Sequence, residues 1–306
     1  MKPRRPPHPP RAGRVALVGR PNVGKSTLLN ALVGDPIAIV SHHPQTTRET
    51  VRGVRTEGDT QYVLLDTPGL HRACNRLGER MNAAAIESAR GADVIVFLVA
   101  APRDGAAPRA DADDLALLAE LPATPCVLGI TKVDRLTDKS ILLPFIASLA
   151  SHRDLAATVP LSARRRDGLD ALVAEVRKLL PTQPFLFEED MLSDQPERFF
   201  VAEFVREQIL RHTRQEVPHG VAVVVDVFDE RPTAKGPRIV ATVHVARESH
   251  KKILVGSGGR MLKSIGIGAR TRIERMLSRR VDLRLHVRAT PGWMNDEARL
   301  REIVGA

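Results

Sequence analysis

The sequence predicts an α/β domain with a mostly parallel sheet, followed by a smaller α+β domain. Between residues 14 and 180, short apolar runs alternate with helix-like segments, which is typical of a parallel sheet with helices on both faces. After residue 197 the order of predicted elements changes to α-β-β-α-α-β. A chain of 306 residues is long enough for two domains of ordinary size.

Short apolar, β-branched runs predict strands, and longer segments with helical periodicity predict helices. In the first domain, strands are predicted at residues 15–18, 62–65, 94–99, 127–131 and 158–161, and helices at 25–33, 113–120 and 169–180. In the second domain, a helix at 199–212 precedes strands at 221–228 and 239–245, an apolar segment at 252–255, a basic helix at 261–280 and a strand at 281–287.

Composition sets the domain boundaries. Residues 1–13 are rich in Pro and Arg and lack an apolar segment, so we expect a disordered basic tail and not a secretory signal. Residues 14–181 form the predicted α/β domain. Residues 182–197, which are acidic and punctuated by Pro, form a predicted linker, and residues 198–306 form the second domain.

The cysteines and the apolar runs indicate the compartment. Cys74 and Cys126 are the two cysteines of the chain, and they lack the spacing of metal ligands. We therefore expect a reduced, cytoplasmic protein. The longest apolar run, residues 94–101, is too short to span a bilayer and predicts a buried strand.

The positive charge is concentrated in the second domain. The formal net charge is +10, and residues 231–290 alone hold fifteen Lys and Arg residues against three acidic ones. A concentrated basic segment indicates a polyanionic partner. A solvated helix face explains the same charge equally well, so other evidence must decide.

A phosphate-binding loop is predicted between the first strand and the first helix. The segment G-R-P-N-V-G-K-S at residues 19–26 fits the pattern G-x-x-x-x-G-K-[ST] in the required context. Its glycines allow backbone N–H groups to turn toward a phosphate at the helix N-terminus, a role that a chance Gly-rich turn would not have. Lys25 is expected to reach the β- and γ-phosphates, and Ser26 to bind Mg²⁺. The predicted nucleotide-binding residues of this loop are Gly19, Asn22, Val23, Gly24, Lys25, Ser26 and Thr27.

The segment D-T-P-G at residues 66–69 ends the next strong strand. A carboxylate at Asp66 can hold Mg²⁺, usually through water. The backbone N–H of Gly69 can donate to a γ-phosphate, a contact that exists only with a nucleoside triphosphate. The segment therefore predicts an element with two states.

The segment T-K-V-D at residues 131–134 predicts which base is bound. The carboxylate of Asp134 can accept hydrogen bonds from guanine N1–H and N2–H₂, whereas adenine would leave it unpaired. Lys132 is expected to lay its aliphatic stem over the base. After a further strand, the segment S-A-R at residues 162–164 (Ser162, Ala163, Arg164) is expected to support the base through the N–H of Ala163.

These four segments, in this order, resemble the G1, G3, G4 and G5 motifs of P-loop GTPases of the translation-factor type. Thr131 departs from the usual Asn of G4, which implies weaker binding without a change of base. The segment P-Q-T-T-R at residues 44–48 resembles switch I of Era-like GTPases. By that resemblance Thr47 binds Mg²⁺ in the triphosphate state, with Thr46 as the alternative.

Two further residues carry implications of this resemblance. Leu70 follows the D-T-P-G segment, where Ras-like GTPases place a water-orienting Gln, so we expect slow intrinsic hydrolysis. Asn22 matches the residue that coordinates K⁺ in related GTPases, which makes stimulation by K⁺ a hypothesis. GTP or GDP and Mg²⁺ are the other implied ligands, and Lys25, Thr47 and Gly69 the implied catalytic residues.

The Gly-rich turn at residues 256–259 resembles the G-x-x-G turn of a type II KH domain, which lets a nucleic-acid backbone approach closely. A helix–turn–helix with Gly caps is the alternative, and the basic surroundings and the α-β-β-α-α-β order favour the KH domain. Related GTPases with a KH domain commonly carry a basic residue inside the turn, which Ser257 and Gly258 replace here, so we expect the phosphate contact either to be weaker or to pass to Arg260. The residues predicted to contact RNA are Lys252, Ile253, Gly256, Ser257, Gly258, Gly259, Arg260, Lys263 and Ile265.

Over nearly its whole length the chain resembles the Era family. Q-P-E-R-F at 195–199, E-V-P-H at 216–219 and Trp293 near N-D at 295–296 are similar to that family's domain junction, first KH segment and C-terminal end. The resemblance implies a monomeric GTP hydrolase that binds the 3′ end of 16S rRNA in its GTP state and acts as a checkpoint in assembly of the small ribosomal subunit. It also implies peripheral association with the inner face of the cell membrane.

Two other functions stay open from the sequence. The first is an RNA chaperone that uses GTP mainly as a structural ligand, which Leu70 keeps in play. The second is docking of the basic surfaces on anionic lipid, although no amphipathic basic helix stands out. ATP as the nucleotide is excluded by Asp134 alone.

Overall fold

The computed structural model describes residues 9–43, 45–103, 107–215, 217–231 and 236–304. The chain divides into two compact units, the first ending at Asp194 and the second beginning at Gln195. The short segments Ile39–His43 and Ala73–Arg80 group with the second unit. Residues 1–8 of the predicted tail, Pro44, Glu216 and the last two residues lie outside the described part of the chain.

The first unit contains a six-stranded sheet with the order β2-β3-β1-β4-β5-β6. Its strands are β1 (Arg11–Val18), β2 (Val51–Glu57), β3 (Thr60–Asp66), β4 (Val94–Ala100), β5 (Cys126–Thr131) and β6 (Ala157–Pro160). Only β2, paired with β3, is antiparallel to its neighbour among these strands. The predicted α/β domain with a mostly parallel sheet is therefore confirmed.

Five helices accompany this sheet: α1 (Lys25–Val33), α2 (Arg76–Arg90), α3 (Ala112–Glu120), α4 (Leu142–Ala150) and α5 (Leu169–Leu179). Alternate residues of the central strands face opposite sides. On one side, Ala16 and Val18 of β1 belong to a core with residues of α2, α3 and α4. On the other side, Val15 and Leu17 face Leu32 of α1 and residues of α5. Both faces of the sheet are thus covered, as buried parallel strands require.

Several predictions of local structure in this unit were incomplete. Strand β1 begins at Arg11, so the predicted tail over residues 1–13 is wrong at its last three positions. Ala12 is fully buried, and the backbone of Arg11 pairs with Thr60 of β3, because the strand extends through residues whose Arg and Gly content hid it. The sequence also gave no prediction of β2, α2 or α4.

The segment at residues 182–194, here called the strap, is ordered and packs on the first unit. Gln61 of β3 is fully buried. Its Oε1 accepts from the N–H groups of Leu186 and Phe187 at 2.8 and 2.9 Å, and its Nε2 donates to the Phe187 carbonyl at 3.0 Å. The N–H of Val54 donates to the carbonyl of Leu192 at 2.8 Å. The strap therefore covers the edge strand β2, and most of the predicted linker belongs to the first unit.

The second unit has the predicted order α-β-β-α-α-β. Its elements are α6 (Glu197–His212), β7 (Val221–Asp229), β8 (Arg238–Val245), α7 (Glu248–Val255), α8 (Arg260–Leu277), β9 (Asp282–Ala289) and α9 (Glu297–Val304). The sheet order is β7-β8-β9, with β7 antiparallel and β9 parallel to β8. This is the arrangement predicted for a type II KH domain.

Helix α8 packs on α6 through a small residue. Ile265, Ala269 and Ile273 recur every fourth position and are fully buried, which gives the helix one apolar face. A Cβ on Gly268 would lie 2.3 Å from Oε1 of the buried Gln208 on α6. The glycine therefore lets the two helices approach closely.

The C-terminal end of the second unit closes over its first strand. Trp293 is fully buried, and its indole N–H donates to the carbonyl of Gly220 at 3.3 Å. Helix α9 was not predicted, although Trp293 was singled out. Within the described ranges, no helix has the length and the apolar character to cross a membrane.

Candidate functional site

The loop between β1 and α1 has a backbone that favours glycine. Gly19 and Gly24 have φ angles of 149° and 114°, and Asn22 has a φ of 61°. A Cβ on Gly19 would lie 2.3 Å from the carbonyl oxygen of Leu98, so no other residue fits there. Helix α1 begins at Lys25 without a side-chain cap and without an acidic residue in its first turn. Its free N–H groups and positive end therefore suit an anion.

Lys25 lies buried across this loop. Its ammonium group donates to the carbonyls of Gly19 and Arg20, both at 2.9 Å. Burial lowers the pKa of Lys25 to about 8, and the negative charge of Asp66 opposes this shift. The side chain is thus a cation in a desolvated position, where a phosphate would stabilise its charge.

Three oxygen ligands from different elements converge beside Lys25. The hydroxyl of Ser26 donates to Oδ2 of Asp66 at 2.6 Å, and the hydroxyl of Thr47 donates to the same oxygen at 3.3 Å. The two hydroxyl oxygens lie 3.0 Å apart. Hydroxyl and carboxylate oxygens are the donor type that Mg²⁺ prefers, so these residues fit that ion. The structure brings Thr47, and not Thr46, into the cluster.

The segment after Asp66 packs tightly on the phosphate-binding loop. A Cβ on Gly69 would lie 2.7 Å from both Cα and N of Pro21. The N–H of Leu70 donates to the carbonyl of Gly19 at 3.2 Å. The side chain of Leu70 is buried in the core with Val18 and Ala85, so it points away from the loop.

Thr131 ties the end of β5 to the phosphate-binding loop. Its hydroxyl donates to the carbonyl of Val23 at 2.5 Å and lies 3.3 Å from the carbonyl of Val99. The ammonium group of Lys132 donates to the carbonyl of Asn22. Thr131 therefore provides a link between the two motifs although it lacks the amide of the usual Asn.

Asp134 lies next to the turn that contains Ala163. A hydrogen bond from the buried Ser162 holds the pKa of Asp134 below its usual value, so the carboxylate is charged at neutral pH. The N–H of Ser162 donates to the carbonyl of Asp167 at 2.9 Å, and the reverse bond measures 3.1 Å. This closed turn leaves Ala163 half-buried and Arg164 exposed.

The Gly-rich turn between α7 and α8 is open on its outer side. Gly256, Gly258 and Gly259 have φ angles of 69°, 61° and 75°. A Cβ on Gly258 or Gly259 would meet no atom within 4 Å, whereas one on Gly256 would lie 2.8 Å from Cβ of Met261. The first glycine is therefore needed for packing, and the last two leave space for a ligand backbone.

The side chains around this turn divide into two groups. The exposed group comprises Lys252, Ile253, Ser257, Arg260 and Lys263, as expected of residues that contact RNA. Ile265 is fully buried, so its predicted contact with bases is wrong. It lies on the core face of α8, which the helical period of Ile265, Ala269 and Ile273 would have shown. Ile267 of the same helix is 49% exposed.

Comparison with known proteins decides the family. A family model described as 50S ribosome-binding GTPase matches residues 14–132, and a KH domain model matches residues 216–293. The GTPase Era of Ruminiclostridium cellulolyticum is 43% identical over 96% of this chain and 97% of its own length. That of Xanthomonas oryzae pv. oryzae is 45% identical over 96% of each chain.

The chain belongs to the GTPase Era family. Solved Era structures agree with this assignment. One from Aquifex aeolicus, bound to GDP and AlF₄⁻, is 36% identical with a TM-score of 0.90, over 97% of this chain and 99% of that one. Another, in complex with MgGDPNP and nucleotides 1506–1542 of 16S ribosomal RNA, is 36% identical with a TM-score of 0.91 and the same coverage. The predicted GTP hydrolase with a GTP-binding domain and a KH domain is confirmed.

The Era-family site includes residues that the sequence analysis did not identify. Arg20 of the phosphate-binding loop pairs with Asp111 at 2.9 Å and lies 3.8 Å from Asp114 at the start of α3. Burial raises the pKa of Asp114 to about 6, while the charge of Arg20 opposes this shift. His71 contacts both Gln45 and Gly69. These contacts join segments distant in sequence, so no local pattern indicates them.

Proposed function

We propose that this Era-family GTPase binds small-subunit (16S) rRNA near its 3′ end. In this proposal it acts as a GTP-dependent checkpoint in assembly of the small ribosomal subunit and in rRNA maturation. The observation that carries the proposal is the open turn at Gly258 and Gly259 between the exposed Lys252 and Lys263, in a chain that hydrolyses GTP. The complex of a related Era with nucleotides 1506–1542 of 16S rRNA supports the target.

The convergent oxygens support a proposal for the metal ligands. Ser26, Thr47 and Asp66 would hold Mg²⁺ near the β- and γ-phosphates, where the ion neutralises charge that develops in phosphoryl transfer. The ammonium group of Lys25 neutralises the same phosphates from a buried position. The N–H of Gly69, held close to Pro21, donates to the γ-phosphate.

The base is recognised in the proposal by two segments. Asp134 accepts hydrogen bonds from N1–H and N2–H₂ of guanine, while the side chain of Lys132 lies along the base on its way to the Asn22 carbonyl. Ala163 donates its N–H to guanine from the closed turn after β6. The Thr131 link to Val23 keeps this half of the site in register with the phosphate-binding loop.

Hydrolysis is proposed to be slow without a partner. The side chain of Leu70 is 4% exposed and packs in the core, so it orients no water molecule. A separate proposal gives K⁺ a role through Asn22, whose φ of 61° places it at the tight bend of the loop. Equal hydrolysis rates in K⁺ and Na⁺ buffers would count against the K⁺ site.

The first experiment measures binding to a short RNA that copies the 3′ end of 16S rRNA. A scrambled RNA serves as the control, and each is tested with a non-hydrolysable GTP analogue and with GDP. Salt is held fixed because phosphate contacts make affinity salt-dependent. The proposal expects tighter binding to the true sequence, strengthened by the analogue. Equal, salt-sensitive binding of both RNAs in both states would remove the support for a specific rRNA target.

A second candidate is an RNA chaperone that uses GTP mainly as a structural ligand. The buried side chain of Leu70 is the observation that favours it. The two functions differ in turnover. Hydrolysis stimulated by the rRNA fragment or by small ribosomal subunits supports the checkpoint. RNA binding that responds to GTP while turnover stays at its basal rate supports the chaperone.

We further propose that the protein is monomeric and cytoplasmic, with peripheral association at the inner face of the cell membrane. Cys74 is exposed and Cys126 is buried, so the two cysteines do not form a disulfide with each other, which supports a reducing compartment. Sedimentation of the purified protein with and without vesicles containing anionic lipid tests both statements. A dimer in solution contradicts the first, and absence of co-sedimentation contradicts the membrane association.

A further inference from the structure

His71 is held in place by the first unit from three directions. Asn82 of α2 accepts from the N–H of His71 at 3.3 Å and donates to its carbonyl at 2.7 Å. The ring Nδ1 lies 2.9 Å from the carbonyl oxygen of Gly69. The side chain of the preceding Leu70 is buried in the core, whereas His71 is half-buried.

The other ring nitrogen reaches the segment that carries Thr47. Nε2 of His71 lies 2.8 Å from Nε2 of Gln45. An amide nitrogen only donates, so the ring Nε2 accepts, and the ring hydrogen sits on Nδ1, where it donates to the Gly69 carbonyl. One neutral tautomer satisfies both contacts. The opposite orientation of the amide would place the lone pair of Nδ1 against the carbonyl oxygen of Gly69.

Gln45 has a backbone conformation that needs support. Its φ is 60°, in the left-handed region that residues other than Gly rarely adopt. Such conformations persist where the surroundings determine them, and they cluster at switch regions. The hydrogen bond from the Gln45 side chain to His71 is one contact that supports this backbone conformation. Gln45 stands two positions before Thr47, and His71 two positions after Gly69.

We propose that His71 is a positioning residue for GTP hydrolysis, which through Gln45 makes Thr47 and Gly69 engage the γ-phosphate as one unit. The proposal rests on the roles given above to Thr47 and Gly69. A ring that touches both segments disfavours states in which only one of them has closed. It thereby increases discrimination between GTP and GDP and orders the site for hydrolysis.

The test compares His71→Ala, Gln45→Ala and the double variant. We expect each single change to lower kcat and the affinity for a non-hydrolysable GTP analogue by roughly tenfold. The affinity for GDP should change by less than about twofold, because GDP lacks the γ-phosphate. The double variant should be no worse than either single variant, because both remove the same contact. Additive losses, or an equal loss of GDP affinity, would overturn the proposal.

Two controls separate this role from general stability. Ser88→Ala removes the 3.0 Å contact between Ser88 of α2 and Thr50. This contact also joins α2 to the segment that follows Thr47. The variant should leave kcat and the affinities for GDP and for the GTP analogue unchanged. Thr47→Ala tests the underlying role. If Thr47→Ala leaves the affinity for the analogue unchanged, the proposed site itself fails, whereas an effect of Thr47→Ala without one of His71→Ala refutes only the positioning role.

A spectroscopic measurement tests the contact without activity. The ¹⁵N chemical shifts of the His71 ring should show hydrogen on Nδ1 in the parent protein. Gln45→Glu replaces the donor by an acceptor, so it should move hydrogen onto Nε2. An unchanged ring tautomer in Gln45→Glu would show that the two side chains do not interact in solution.

Discussion

At the scale of single residues, Lys25 and Asp134 show how burial and hydrogen bonding prepare charges for a nucleotide. Lys25 is 6% exposed, and its ammonium group donates to two backbone carbonyls. A phosphate would be a stronger hydrogen-bond partner because it is charged. The hydrogen bond from Ser162 lowers the pKa of Asp134 and so stabilises its charged form. The two groups sit at opposite ends of the proposed site, so they should affect phosphate affinity and base choice separately.

The lowered pKa of Lys25 predicts uptake of protons on nucleotide binding. Because the pKa of Lys25 is about 8, its side chain should be neutral in about half of the free protein molecules at pH 8. A bound phosphate favours the charged form and raises the pKa, so Lys25 should take up about half a proton when GDP binds at pH 8. Calorimetric titrations in buffers of different ionisation enthalpy measure this uptake. Binding heats independent of the buffer at pH 8 would contradict the assignment.

Asp134→Asn tests base recognition. Loss of the charged acceptor for N1–H and N2–H₂ should weaken GDP binding by roughly 100-fold. It should also reduce the preference for GDP over inosine diphosphate, which lacks the N2 amino group. Asp138→Asn is the control, because that carboxylate is exposed and bonds only to Ser140 among the described contacts. Retained guanine preference in Asp134→Asn would refute the role.

At the scale of elements, two glycines of α8 have different functions. The Cβ of an alanine at 268 would collide with Gln208, whereas one at 266 would lie 3.6 Å from Leu285, an ordinary contact. Both changes gain about 1 kcal/mol of helix propensity at most. Since Gln208 is buried, Gly268→Ala should be less stable than Gly266→Ala by about 1–3 kcal/mol. Chemical denaturation measures the difference in the free energy of unfolding. Equal stabilities would show that Gln208 of α6 moves away from the added methyl group without cost.

Much of this architecture is readable from local patterns, and the failures have identifiable causes. Strand β4 is apolar throughout and β5 is apolar or glycine up to its last residue, Thr131, so their runs identify them. Strand β2 is an edge strand with a mixed V-R-G-V-R-T-E sequence, and the pattern of burial that defines it depends on the strap. Ile265 is close to the Gly-rich turn in sequence, but it lies on the buried face of α8 with Ala269 and Ile273, so its helical face and not its sequence position determines its contacts.

The site residues show the same division. The phosphate-binding loop and the segments at Asp66 and Asp134 carry fixed spacings, so the sequence indicates their positions at the ends of β1, β3 and β5. The sequence could not distinguish Thr46 from Thr47, because the side-chain directions of adjacent residues depend on the backbone conformation. The structure shows that Thr47 lies beside Ser26 and Asp66. The contact between Gln45 and His71 joins residues 26 positions apart and has no signature in either segment.

At the scale of the whole molecule, the proposed checkpoint requires that binding of nucleotide and binding of RNA be thermodynamically coupled. If a non-hydrolysable GTP analogue raises the affinity for the rRNA fragment by some factor relative to GDP, the fragment must raise preference for the analogue over GDP by the same factor. Coupling of this kind typically amounts to about 5- to 150-fold. Titrating nucleotide at saturating and zero RNA measures it. A factor of one in both directions would mean that the two domains act independently.

The strap has a consequence for synthesis of the protein. The strap completes the edge of this sheet through the carbonyl of Leu192 and through the hydrogen bonds of Leu186 and Phe187 to Gln61. The last strand of the sheet, β6, ends at Pro160, so all six strands are synthesised before the strap. A nascent chain that has emerged only to Leu180 would present β2 with its outer hydrogen-bonding groups uncovered, which is a template for intermolecular pairing. The strap therefore covers the outer edge of β2 only after its own residues have been synthesised. For the same reason, a truncated GTPase domain should remain soluble if it ends after Asp194 and aggregate if it ends at Leu180.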